Sequence, residues 1–142
     1  MFALTFCLMT VAGFSQTPSK PAIFANYPDQ IDCSPAQFSN AFNFTEGQAI
    51  TLSFPSNFTI SGRVISNEVK YSNLQTMTIQ VPDFDNAVFH LSKQINDDNS
   101  VTYVGRIMNK NAADGYRIIK DAAGNYKFQK LETAKVLQEC NH

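Results

Sequence analysis

The sequence predicts a mainly β (α+β) domain, an antiparallel sandwich or barrel-like sheet of seven to eight strands with a short N-terminal helix and a short C-terminal helix. Three observations carry that expectation. Apolar and polar residues alternate over short runs from Gly47 onward, turn residues separate the runs at strand-length intervals, and helical spacing replaces the alternation at both flanks. Sequential hairpins of this kind favour antiparallel pairing.

The chain opens with MFALTFCLMTVAGFS, an uncharged apolar run too short to span a bilayer and ending in the small residues Gly13 and Ser15. Residues 1–15 therefore read as a secretory signal peptide, although no Lys or Arg precedes the apolar run. The mature chain then starts at Gln16 and works outside the cytoplasm, secreted, periplasmic or at the cell surface. No later run has transmembrane length, so no membrane span is expected in the mature chain. Residues 16–32, broken by Pro18, Pro21 and Pro28, read as an extended leader, and residues 33–142 as a single β-rich domain.

Within that domain, Ser34-Pro35 joins an N-cap residue to a proline at the first helical position, and Phe38 and Phe42 follow four apart. A helix over Pro35–Phe42 is expected, with both rings in the core. Ile50, Leu52 and Phe54 then alternate with Thr51 and Ser53, Pro55-Ser56-Asn57 turns the chain, and Phe58, Ile60, Gly62 and Val64 return as a second strand. Gly62 marks a bulge or a close crossing of backbones. Glu68–Tyr71 suggests a short edge segment, Asn73–Val81 and Ala87–Gln94 two further strands, and Val101–Met108, Tyr116–Lys120 and Tyr126–Lys130 a closing meander. Tyr103, Tyr116 and Tyr126 are expected to line one face of that meander as a cross-strand aromatic ladder. Leu131, Val136 and Leu137 with Lys135 suggest a last helix over Glu132–Glu139.

Cysteine usage agrees with export. Cys7 lies in the apolar run and follows Phe6, where a lipobox needs a small residue, which leaves Cys33 and Cys140 in the mature chain. An even pair in an exported protein reads as a disulfide, here closing nearly the whole domain. A loop of that length stabilises by up to about 4–5 kcal/mol in the chain-entropy model.

Chemistry is sparse. His90 is the internal histidine, on a strand that points it away from Phe89 and Leu91, and a base role would need Asp83 or Asp85 brought beside it. Asp83, Asp85 and Asn86, and likewise Asp97, Asp98 and Asn99, could offer oxygen ligands to calcium, but neither run has the full loop spacing with a closing Glu. Backbone capping in turns accounts for them. No catalytic, cofactor-binding or metal-ligating residues are assigned and no cofactor is expected. A net charge of -1 with both signs interspersed gives no electrostatic case for nucleic acid. Asn43-Phe44-Thr45 and Asn57-Phe58-Thr59 have the form of glycosylation sequons.

The segments Tyr103-Val-Gly-Arg-Ile107, Asp114-Gly-Tyr-Arg-Ile118, Gly124-Asn-Tyr-Lys-Phe-Gln-Lys130 and Val136-Leu-Gln-Glu-Cys140 give the chain a resemblance to small exported bacterial proteins of uncharacterised function. The resemblance implies export and a β-rich fold, and supplies no catalytic residues. In layout, the strand with Ser61-Gly62-Arg63-Val64, the apolar strand ending in Leu91-Ser92 and the Tyr103 and Tyr116 strands look like the pro-regions of some secreted metallopeptidases, which fold as β-rich chaperone-inhibitors. The function expected is an exported, non-enzymatic binding or interaction module for an unknown protein or small ligand. The alternatives are a pro-region-like inhibitor or chaperone of a secreted peptidase, and a lipocalin-like carrier whose strands enclose a cavity.

Overall fold

The computed structural model describes residues 19–139. Its elements run β1 (Gln30–Cys33), α1 (Pro35–Ala41), β2 (Ala49–Phe54), β3 (Phe58–Tyr71), β4 (Leu74–Val81), a 3-10 turn (Pro82–Phe84), β5 (Ala87–Ile95), β6 (Val101–Met108), β7 (Asp114–Lys120), β8 (Tyr126–Glu132) and α2 (Thr133–Glu139). All eight strands belong to one antiparallel sheet in the order β1-β8-β7-β6-β5-β4-β3-β2, curled into a half-barrel. Strands β2 to β8 form an unbroken meander, and β1 pairs with β8 at the far edge. With a single sheet, the barrel-like alternative holds and the sandwich does not.

Helix α1 forms where its cap predicts. The Ser34 Oγ accepts from the Ala36 N–H at 3.3 Å, and the Gln37 Oε1 accepts from the Ser34 N–H at 2.8 Å, so two of the helix's orphan donors are satisfied. The helix joins β1 to β2 across the concave face and buries Phe38 and Ala41 there. Phe38 meets Tyr103, Phe128 and Tyr126 at ring distances of 5.6, 5.9 and 6.0 Å. Phe24, Phe58, Phe89, Tyr116 and Phe128 are likewise fully buried, and the interior of the curl is filled with side chains.

Strand β3 is longer than expected. Glu68–Tyr71 is its distal end, reached through a register irregularity between Val64 and Ser66 and interrupted by another between Val69 and Tyr71. Gly62 marks a close crossing: a Cβ there would stand 2.1 Å from the Gln80 carbonyl oxygen. Tyr103, Tyr116 and Tyr126 do share the concave face, and Tyr103 and Tyr126 pack edge to face at 5.9 Å. Tyr116 departs from the expected ladder by packing on Phe24 and Phe58, at 5.1 and 5.2 Å.

The largest departure concerns the segment read as a leader. It is part of the fold: Phe24 is fully buried, Ile31 nearly so, and Gln30–Cys33 is a strand paired in register with β8. Asp114, read as a turn residue, opens β7 and is buried, and its two carboxylate oxygens accept the N–H groups of Ile23 and Phe24 at 2.8 and 3.0 Å. The Tyr116 hydroxyl donates to the Pro28 carbonyl at 2.5 Å, and Lys130 Nζ donates to the Tyr27 carbonyl at 2.6 Å. The fold thus includes Pro21, whose carbonyl accepts the Ala113 N–H. Prolines punctuate this segment because it runs as an irregular strap, where a missing N–H costs nothing.

Candidate interaction surface

The described residues do not cover the concave face along its whole length. On β5 the inward positions pass from Phe89 (0% exposed) and Leu91 (1%) to Lys93 and then Ile95 (38%). On β6 they pass from Ile107 (0%) through Tyr103 (7%) to Val101 (37%). The register places Ile95 opposite Val101, Lys93 opposite Tyr103, and Gln75 opposite both Lys93 and Val69. One continuous inward face therefore emerges from the core and ends uncovered by the described residues. Its last cover is the Phe42 ring at the end of α1, which stacks on Tyr103 and carries the Lys93 ammonium 5.9 Å from its centroid.

Beyond that cover, the distal ends of β3 to β6 project as a four-stranded arm. Val69 and Tyr71 near the β3–β4 turn are 70% and 69% exposed, the most exposed large apolar residues among those described. With Leu74, Lys93 and Ile95 they line a shallow cleft of about 70 Å³. The arm is anchored at its base by Asn67, whose Nδ2 donates to the carbonyls of Phe42 and Phe44 at 3.0 and 2.7 Å and whose Oδ1 accepts from Gln75. Sequence reading missed this surface. Its signal was present, in Val69 and Tyr71 set among Asn67, Glu68 and Lys70, but alternation alone does not reveal where a covering helix ends.

A larger cleft, about 650 Å³, lies where α2 leaves β8 and is lined by Asp29, Asp114, Arg117, Lys130, Glu132 and Lys135 among others. Its charged side chains have partners within the described residues. Asp114 holds the strap, Lys130 pairs with Asp29 at 3.6 Å, Lys135 with Glu132 at 3.1 Å, and Arg117 donates to the Gln129 side chain.

The residues singled out for chemistry do not converge. His90 sits on the convex face opposite Thr78 and Arg106, with its Nδ1 3.2 Å from the Thr78 hydroxyl. Burial and then the Arg106 charge hold its pKa below the ordinary imidazole range. Among the described residues no carboxylate bonds to it, so Asp83 and Asp85 do not complete a dyad. Asp85 and Asn86 are left-handed residues that end the 3-10 turn, and Asn99 is another in the β5–β6 turn. Asp98 accepts from the Ser100 hydroxyl and N–H, which keeps its carboxyl below the usual range. Among the described residues no three His, Cys, Asp or Glu side chains gather as a metal site. Asn43 and Asn57 of the two sequons are both exposed.

Cys33 closes β1 opposite Tyr126, its Sγ 3.4 Å from the Ile31 carbonyl oxygen, while Cys140, its expected partner, lies outside the described residues, as do residues 1–15. Burial pushes the Cys33 thiol up to about 12. Among the described residues no helix is long and apolar enough to cross a membrane. No family model, characterised protein or solved structure matches the chain.

Proposed function

We propose that the chain is an exported, non-enzymatic interaction module that engages a protein partner through the arm formed by the distal ends of β3 to β6. The observation that carries this reading is the emergence of the inward apolar face at Val69, Ile95 and Val101, past the last side chain of α1 able to cover it. Exposed apolar groups gathered at one place mark a contact surface more often than isolated ones do. A carrier role loses its basis, because the half-barrel interior is occupied by Phe24, Phe38, Phe58, Phe89, Tyr116 and Phe128. Export rests on the apolar, uncharged opening segment and its small-residue end.

The test is a photo-crosslinking side chain placed at Val101 in cells that express the full chain, with the same group at Gln80 on the convex face for comparison. A discrete protein adduct from position 101 alone is the expected result. No adduct from the arm, or equal labelling from both positions, removes the interaction reading. N-terminal sequencing of the exported protein should begin at Gln16, and retention of Met1 in a cytoplasmic product would remove the export half.

A further inference from the structure

Among the described residues, strand β3 carries a free edge along the arm. Strand β2 reaches only Arg63, and Val64 closes the pairing through its N–H to Gln48 and its carbonyl to Gly47. The direction of the backbone groups beyond that point follows from β4. Ile95 donates to the Asn73 carbonyl at 2.9 Å, so odd-numbered positions there turn toward β5, and Thr76 and Thr78 turn toward β3. Ser66 and Glu68, opposite Thr78 and Thr76, therefore bond to β4, and Asn67 and Val69 aim their N–H and C=O groups outward. The irregularities on either side, after Val64 and after Val69, confine this usable edge to a few residues.

The side chains along it are self-complementary. Glu68 and Lys70 flank Val69 and lie together as an exposed ion pair on one face. An antiparallel copy of the same strand, related by a two-fold axis at Val69, sets Glu68 opposite Lys70 of its partner and Lys70 opposite Glu68. The outward groups of Val69 then meet their own copies as a hydrogen-bonded pair. A slip of two residues places Glu68 against Glu68, a like-charge contact that disfavours it, and a slip of one residue turns the side chains of one arm to the opposite face.

We propose that the arm pairs with a second copy of this chain through the β3 edge, Asn67 to Lys70, centred on Val69. The pairing rests on reading the arm as an interaction surface and names its partner. It is isologous and closes after two subunits. The short edge buries less than the ~1,600 Å² of a standard interface, so dimerisation depends on concentration and weakens with salt. Joining two arms also sets their uncovered Val69 and Ile95 faces side by side, which lengthens the apolar strip.

Sedimentation velocity over a concentration series reads the outcome, with thermal melting to confirm folding. The wild-type chain should show a monomer–dimer equilibrium. Glu68→Lys and Lys70→Glu should each weaken it by about tenfold, from two like-charge contacts per dimer. The double variant, which restores opposite charges with the signs exchanged, should recover wild-type association. A chain monomeric at every concentration, a dimer indifferent to the single reversals, a double variant that fails to recover, or assemblies that grow beyond two subunits would each overturn the proposal. A monomeric chain that still gives a Val101 adduct to a different protein leaves the interaction reading standing and removes only the second copy.

Discussion

Tyr126 reaches across β7 to the backbone of β6: its phenolic oxygen accepts the Tyr103 N–H at 3.1 Å, in the core. The contact is needed because β6 and β7 pair only at Arg106–Arg117 and Ile107–Tyr116, which leaves the first half of β6 without a strand partner on that side. A side chain two strands away supplies the missing acceptor. Tyr126→Phe keeps the ring and removes only the oxygen, stranding a buried N–H at a cost of about 1–3 kcal/mol. The denaturant midpoint should fall with an unchanged slope, and the Tyr103 amide should exchange faster with deuterium. An unchanged midpoint would mean that water reaches this N–H.

One carboxylate caps the start of the strap. Asp114 accepts two N–H groups from Ile23 and Phe24, and Phe24 packs edge-on against Phe84 and Tyr116 at 4.8 and 5.1 Å. Asp114→Ala should destabilise by about 2–5 kcal/mol, since both donors lose a charged acceptor. Asp114→Asn keeps one acceptor oxygen and should lose roughly half as much. Limited proteolysis should cut after Phe24 and Tyr27 in the Ala variant while the rest of the domain persists. Protection of the strap in that variant would show that the packing of Phe24 and the bonds to the Pro21, Tyr27 and Pro28 carbonyls hold it without the carboxylate.

Much of the fold was legible because alternation reports burial directly where a sheet has one covered face. Ile50, Leu52 and Phe54, or Phe89 and Leu91, could face only the core. The strap and β1 were not legible, since Ala22-Ile23-Phe24-Ala25 shows no alternation, Ile31 stands alone among polar residues, and their partners Asp114 and Phe128 lie about a hundred positions away. The arm was half legible: its strands were read, but its exposure depends on where α1 stops, a tertiary fact with no local signature.

Gly62 separates steric crowding from backbone strain. Adding a methyl group drives it into the Gln80 carbonyl, which is backbone and cannot rotate away. Gly62→Ala should destabilise by about 1–3 kcal/mol or more as β3 and β4 are forced apart. Gly124 has φ +87 and only a flexible Lys120 carbon at 3.8 Å, so Gly124→Ala should cost about 1–2 kcal/mol from the left-handed backbone alone. A Gly62→Ala variant with an unchanged denaturant midpoint would refute the crossing.

Alkaline stability should report Tyr116. Burial, and then the negative charge of Asp114 and Asp29, raises its phenol to about 12. The folded pKa lies above the unfolded value of about 10, so the unfolded state releases its proton first as pH rises. The stability linked to this group is fully present below about pH 10 and is lost between about 10 and 12. Tyr116→Phe gives up the bond to the Pro28 carbonyl but should flatten the fall in denaturant midpoint over that window. An unaltered slope would assign the alkaline loss to other groups.

Cys33 and α2 set the terms for the proposed bridge to Cys140. Cys33 pairs with Tyr126 at the start of β8, and α2 leaves from Glu132 at its end, so the strand's length, about 20 Å, separates them. Seven helical residues rise only about 10 Å. A Cys33–Cys140 disulfide, with its Cα separation near 5.5 Å, therefore requires α2 to unwind and run back along β8. The exported protein should gain a pair of hydrogens in intact mass on reduction, and its α2 amides should exchange faster before reduction than after it. In the reduced chain the raised thiol pKa should make Cys33 alkylate orders of magnitude more slowly at pH 8 than in denaturant. Two free thiols in the exported protein would remove the bridge and weaken the case for an oxidising compartment. A bridged protein with a fully protected α2 would show that the helix leaves β8 along a different path.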